Sequence, residues 1–234
     1  MGYTGYIEML LKAGKRMEQK ACLLIHGFTG GPYELHPLAS YLGQKGHRCQ
    51  SVTLPGHEGD LRALRKVHRT EWIQCVEEAG KELADQHGEF DLIGFSMGGL
   101  LAAYAANRLP VRRLVLVNTA VYYVSPGRFV REAVRQFRDG NLRSLSVKQA
   151  TPLRAVLQFT QLVRELKPEF PQIRIPTLVV QGEQDQIVHP YSANYIYGRL
   201  AGKKQLIWYP RSRHMICLDE EAERLFTDIE RFLD

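Results

Sequence analysis

Six short apolar runs recur along the chain, at Ala21–His26, Cys49–Leu54, Phe90–Phe95, Arg113–Asn118, Thr177–Gln181 and Gln205–Tyr209. Several are nearly continuous in Val, Leu and Ile, as strands covered on both faces are, whereas a strand with one wet face alternates. Between the runs, apolar residues return at helical spacing. Tyr33–Lys45 places Leu35, Leu38, Ala39 and Leu42 on one face. Thr70–Gln86 opens on Thr70 as an N-cap before Glu71. Leu100–Arg108 forms a third segment, and Asp219–Leu233 presents Ala222, Leu225, Phe226, Ile229 and Phe232 or Leu233 inward. Strands alternating with helices predict an α/β fold, a mostly parallel central sheet flanked by helices.

One interval departs from that rhythm. The run ending near Asn118 and the one starting near Thr177 are widely separated, with Pro126 and Pro152 between them. Phe129, Val130, Ala133, Val134 and Phe137 recur there at helical spacing. This predicts a small helical cap at 120–170, inserted over the carboxyl edge of the sheet, in a single domain spanning 1–234. No repeat or low-complexity tract divides the chain.

With 44% hydrophobic and 24% charged residues among 234, the composition is that of an ordinary globular protein and does not indicate disorder. The net charge of +6 raises the question of nucleic acid. The excess lies mainly across 120–170, where basic residues are spread out and no aromatic-rich motif joins them, which fits a solvated helix face. The four cysteines, at 22, 49, 75 and 217, form no close pair, so buried reduced thiols are expected, with neither a zinc nor a redox motif. No run is long enough to cross a bilayer, and Lys12, Lys15 and Arg16 follow the short Ile7–Leu11 run instead of preceding it as in a secretory leader. A cytoplasmic protein without stable membrane insertion is expected.

Chemistry enters at Gly94-Phe95-Ser96-Met97-Gly98, a G-x-S-x-G pattern. Composition alone would produce it in roughly one chain in twelve of this length. Its setting is more specific, since it follows the strand Phe90–Phe95 and precedes the helical Leu100–Ala103. A sharp strand-to-helix turn of this kind exposes a serine hydroxyl above a sheet. That hydroxyl needs a base. His214 follows the last strand and precedes the last helix, on the Ser96 side of the sheet. His26 begins a tight glycine loop and is read as shaping it. His47, His68 and His87 are read as solvated, and His36, His57 and His189 stay open. An imidazole base needs a carboxylate to fix its tautomer. Asp185, just after the strand Thr177–Gln181, is the candidate; Glu183 sits hard against the strand end, and Asp219 reads as an N-cap. Backbone N–H groups of Met97, at the helix start, and Phe28, in His26-Gly27-Phe28-Thr29-Gly30-Gly31, are the candidate oxyanion donors. No histidine–carboxylate cluster has metal spacing and no phosphate loop is present, so neither metal nor cofactor is expected.

Taken together, Leu24–Gly30, the Gly56-His57 turn, the Gly94–Gly99 elbow, Val179-Val180-Gln181, Pro190, Ser192-Ala193-Asn194, Trp208-Tyr209 and Leu218-Asp219 resemble the small bacterial carboxylesterases of the α/β-hydrolase superfamily, a group close to bacterial monoacylglycerol lipases. The resemblance covers nearly the whole length. It implies the α/β-hydrolase fold, Ser96, Asp185 and His214 as a catalytic triad, Phe28 and Met97 as oxyanion donors, and a cap over an acyl pocket. Arg213 is a departure, since these enzymes often carry glycine before the histidine. The expected substrate is a small ester with an apolar acyl chain. Phe28, Met97, Tyr122, Phe129 and Val188 are the candidate pocket residues, and no nucleic-acid partner is expected. The readings kept beside carboxylesterase are a monoacylglycerol lipase and, in another class, a non-catalytic binding module on a hydrolase scaffold.

Overall fold

The computed structural model describes residues 20–123 and 151–234. The cap residues Phe129, Val130, Ala133, Val134 and Phe137 lie outside them. Six parallel strands form one sheet: β1 (Ala21–Ile25), β2 (Arg48–Val52), β3 (Phe90–Phe95), β4 (Val111–Val117), β5 (Thr177–Gly182) and β6 (Lys204–Tyr209), in the order β2-β1-β3-β4-β5-β6. Each parallel connection runs through a crossover, supplied by α1 (His36–Gln44), α2 (Arg69–His87), α3 (Met97–Ala106), α4 (Leu153–Leu166) and α5 (Tyr191–Arg199); α6 (Ala222–Leu233) follows β6.

The two faces of the sheet are sorted by residue parity, because successive side chains on a strand point oppositely. Leu23, Ile25, Leu92, Leu114, Leu116 and Val179 meet Trp72 and Val76 of α2, the small-residue face of α3, and Phe159 and Leu162 of α4. Leu24, Ile93, Val115, Val117, Leu178 and Val180 meet Leu38 and Leu42 of α1 and Leu225, Ile229 and Leu233 of α6. Both faces of the central strands are dry, which is why β1, β3, β4 and β5 read as nearly continuous apolar runs.

Several boundaries differ from the sequence reading, each for a local reason. The first helix is split: Pro32–Glu34 makes a 3-10 turn, and α1 starts afresh at His36 with Pro37 in its first turn. The N-cap of α2 is His68, not Thr70. Glu71 accepts the His68 N–H at 2.6 Å, and His68 Nδ1 accepts the Thr70 N–H at 3.4 Å. α3 starts at Met97, three residues earlier than its apolar run, because the elbow turns straight into helix. α5 was not anticipated; it buries only Ser192, Ala193 and Ile196 and so carries little periodic signal. Asp219 does not cap α6. Its carboxylate accepts the Arg213 N–H at 2.8 Å and pairs with the Arg213 guanidinium, and the residue preceding the helix is Glu221. His47 is 6% exposed instead of solvated, and burial lowers its pKa.

At the amino edge of the sheet, fully buried Asp91 is held by Arg112 through bonds of 3.0 and 2.5 Å, and the same guanidinium donates to Leu233 O at 2.6 Å. Arg113 donates to Phe232 O, so two adjacent arginines fasten the end of α6 beneath β4. All four cysteines are free thiols, with Cys22 and Cys217 buried. Among the described residues no helix is long and apolar enough to cross a membrane.

Breaking a hydrogen-bonded buried partner costs about 1–3 kcal/mol. Asp91→Ala is therefore expected to lower unfolding stability by about 2 kcal/mol, with Asp91→Asn losing less because it keeps an acceptor for Arg112. Urea titration of the three proteins checks the order.

Candidate active site

The strand order reverses direction between β1 and β3. In open parallel sheets ligands gather at such a switch point, beyond the carboxyl ends of the strands. Here the loop leaving β1, from His26 to Gly31, faces the turn leaving β3, which holds Ser96. Ser96 has φ 54° and ψ −115°, a left-handed backbone uncommon for a residue with a side chain. The turn survives because its neighbours are held. Ser96 N–H donates to Val117 O at 2.9 Å, and Ser96 O accepts from Gly99 and Ala120. A Cβ on Gly98 would stand 2.1 Å from Ile25 O, and one on Gly94 would stand 2.4 Å from Gly98 O. The elbow thus needs glycine at both flanks for a direct steric reason, since the helix start lies against the ends of β1 and β3.

The three residues read from sequence as a triad come together. His214 Nδ1 donates to Asp185 Oδ2 at 2.8 Å, since a carboxylate only accepts. Its Nε2 is thereby left to accept from Ser96 Oγ at 3.1 Å. Asp185 is in turn fixed by the N–H groups of Ile187 and Val188, which reach Oδ1 at 2.8 and 2.9 Å. Gln181 donates to its Oδ2 at 3.4 Å. The Phe95 ring lies 4.9 Å from that of His214 and limits its swing. All three residues are buried, at 1% for Ser96, 6% for Asp185 and 4% for His214.

The β1 loop is braced by His26, which the sequence read as shaping it, by His57, which the sequence left open, and by Glu34, which it did not single out. Glu34 accepts the Gly27 N–H at 2.8 Å, and His57 Nε2 accepts the Thr29 N–H at 3.2 Å. His26 donates from Nδ1 to Gly27 O at 2.8 Å and accepts the Leu54 N–H at Nε2, 3.1 Å away. Phe28 lies between two residues whose N–H groups are already committed. Both histidines work as neutral rings. Burial, with help from His57, pushes the pKa of His26 down to about 3, and burial lowers that of His57. Burial pushes the pKa of Glu34 up to about 7.

Asn118 was absorbed into a strand in the sequence reading, yet it organises the site. It is fully buried at φ 43° just past β4. Its amide donates to Arg213 O and His214 O at 3.2 and 2.8 Å, while its Oδ1 accepts the Gly182 N–H at 2.9 Å. One side chain thus ties the histidine loop to the start of the Asp185 loop. A polar residue ending an apolar strand was the available signal.

The candidate pocket residues are divided. Phe28 stacks on Phe159 of α4 with centroids 4.9 Å apart and rings 8° from parallel, and Tyr123 lies 5.1 Å from Phe159. Met97 is fully buried against the core. Val188 contributes its N–H to Asp185 and bridges to Tyr123. The Tyr122 ring lies beside Tyr191 and Tyr195, with the Lys167 ammonium 4.0 Å from its centre. It lines a cleft of about 370 Å³ with Tyr123, His189 and Tyr191. Phe129 lies outside the described residues. Among the described residues no cluster of three or more His, Cys, Asp or Glu is placed to hold a metal ion.

A strained serine elbow, an imidazole bonded to it and a carboxylate behind the imidazole, on a parallel sheet, are the marks of one hydrolase class. The chain belongs to the alpha/beta hydrolase family, whose model matches residues 22–228. It is 26% identical over 228 residues to a carboxylesterase of Bacillus subtilis (strain 168), covering 92% of each chain. It is 27% identical over 224 residues to a thermostable monoacylglycerol lipase of Bacillus sp. (strain H-257), covering 91% of this chain and 88% of the relative. In three dimensions it is similar to one of a group of metagenome-derived lipolytic enzymes, with a TM-score of 0.78 at 23% identity over 92% and 94% of the two chains. A soluble variant of the monoglyceride lipase of Saccharomyces cerevisiae gives 0.74 at 19% identity over 94% and 88%.

Two buried groups set opposing pH dependences of stability. His26 has a folded pKa below its ordinary 6.5, so stability is lost as pH falls from 6.5 towards about 3, by about 1.4 kcal/mol per unit. Glu34 has a folded pKa above its ordinary 4.5, so it loses stability as pH rises from 4.5 to about 7. Between 4.5 and 6.5 the two oppose each other. Glu34→Gln is therefore expected to unmask the His26 slope, turning a shallow dependence in that window into a steep loss on acidification. Urea titrations at pH 4.5, 5.5 and 6.5 read it directly.

Proposed function

We propose that the chain is a serine carboxylesterase, a single α/β-hydrolase domain over 1–234 with a cap at 120–170, working through an acyl-enzyme. The observation that carries this reading is the unbroken hydrogen-bonded path from Ser96 Oγ through His214 to Asp185. His214 takes the Ser96 proton as Oγ attacks the ester carbonyl. The negative charge that forms on the carbonyl oxygen is met by the backbone N–H groups of Met97 and Phe28. Met97 is the first residue of α3, where the helix dipole favours an anion. His214 then gives its proton to the departing alcohol. The resulting ester of Ser96 is cleaved by a water that loses its proton to His214, which passes it on to the departing Ser96 Oγ. Asp185 stays ionised throughout and holds the ring in the tautomer that leaves Nε2 facing serine.

The substrate expected is a small ester whose acyl part is apolar, with Phe28 and Phe159 offering an aromatic wall beside the loop. Monoacylglycerol hydrolysis is a second reading, favoured by the 27% identity to the Bacillus sp. monoacylglycerol lipase over 91% of this chain.

Hydrolysis of p-nitrophenyl esters from short to long acyl chains, together with monoacylglycerols, tests both readings. Ser96→Ala is expected to lower kcat roughly a thousandfold or more with little change in folding. A fluorophosphonate should label wild type and not the variant. An optimum at short chains fits the esterase, whereas faster turnover of long-chain monoacylglycerols fits the lipase. A folded wild type that neither hydrolyses any ester nor takes up the label would overturn the proposal in favour of a binding module.

A further inference from the structure

Glu34 is a buried carboxyl that the triad does not use. It lies in the Pro32–Glu34 turn and is 6% exposed. Its Oε2 accepts the Gly27 N–H at 2.8 Å, one residue before the oxyanion donor Phe28. A Cβ placed on Gly27 would stand 3.2 Å from that oxygen and 3.1 Å from Ser96 Cβ, so carboxylate and nucleophile both border the space beside Gly27. The loop is moulded round the carboxyl: a Cβ on Gly30 would stand 2.2 Å from Glu34 Cδ. Pure packing would be better served by an apolar side chain, since burying a carboxyl carries a desolvation cost. The cost is visible in Glu34 itself, whose pKa burial raises to about 7 against the lowering effects of the Gly27 and Gly31 N–H groups and of His214.

We propose that Glu34 is a positioning residue for the ester-hydrolysing site, its ionised carboxylate fixing the oxyanion loop at Gly27 and supplying His214 with a second negative charge. The inference rests on the reading of Ser96 and His214 as nucleophile and base. When His214 takes the serine proton it becomes a cation in a buried site, where each nearby anion counts more than it would in water. Asp185 meets that charge through a hydrogen bond, and Glu34 meets it through space. The other ionisable groups acting on Glu34 are neutral at working pH. Burial pushes the Cys217 thiol up to about 12, and the Tyr33 hydroxyl is raised as well. His26, behind the same loop, is held near 3.

The test is Glu34→Gln, which keeps an oxygen to accept the Gly27 N–H and removes the charge, compared with wild type across pH 5 to 9 on a p-nitrophenyl ester. The expected result is a fall in kcat of about tenfold at its plateau, with KM little changed and the acid limb moved to lower pH. A folded variant with wild-type kcat and an unmoved limb would overturn the proposal, as a structural role predicts. Should the variant not fold, wild type decides. Its acid limb is expected to follow the ionisation of Glu34, at about 7, and activity that holds its plateau well below that pH would overturn the proposal. Ser96→Ala is assayed alongside. If it stays active, the triad reading has failed. If it is dead while the Glu34→Gln profile is that of wild type, only the role of Glu34 has failed.

Discussion

Everything in the site follows from how closely the start of α3 approaches the ends of β1 and β3. Gly98 lies so near Ile25 O that no side chain could be accommodated there, and Gly94 is equally close to Gly98 O. That approach forces Ser96 into its left-handed backbone, lifts its hydroxyl clear of the sheet and brings the β1 loop alongside it. Strain of this kind persists only when the surroundings over-determine it. Here they do, through Val117 O on one side and the Gly99 and Ala120 N–H groups on the other. The strained residue is also the one we propose as nucleophile.

Around that fixed point the neighbouring loops are held by buried polar side chains, each of which joins two segments. Asn118 joins the histidine loop to the end of β5, and Asp185 gathers its own loop through two N–H groups. His26 connects the β1 loop with Leu54, and His57 reaches it from the β2 side. The contacts of His26 and His57 depend on each ring staying neutral. The lowered pKa values of His26 and His57 follow from burial and keep the rings as acceptors. The apolar core on both faces sets the layers, while these few polar contacts set the loops to the accuracy that chemistry demands.

The sequence made some of this legible and hid the rest for definable reasons. The central strands β1, β3, β4 and β5 were readable because they are covered on both faces, so that few positions can be polar, whereas the half-exposed edge strands β2 and β6 keep polar residues among their apolar ones. The elbow was readable because its steric demand is local, two glycines about one serine. Asp185 and His214 were readable because the end of a strand in a parallel sheet points to one edge only. Hidden were features that depend on contacts distant in sequence. Asn118 acts on residues more than sixty positions away, so it looked like the tail of a strand. Glu34 drew no reading from the sequence, since nothing in its local pattern marks a carboxyl that accepts the Gly27 N–H. His47 and His57 looked solvated or undecided because burial is a property of the assembled layers. α5 was missed because a helix that buries two small residues and one isoleucine has almost no stripe to detect.

The arginine clasp beneath β4 bears on how the molecule is made. Leu225, Ile229 and Leu233 of α6 cover strand residues from the middle of the sheet, and Arg112 and Arg113 hold the end of that helix in place. On a ribosome these residues emerge after every strand. Until they do, the part of that face beyond the cover of α1 is an open apolar surface, and His214, also late, is absent from Ser96. A nascent chain therefore has sticky β structure before it has either a sealed core or an active nucleophile. Its dependence on chaperones should be concentrated in that interval, and ester chemistry cannot begin until the interval has closed.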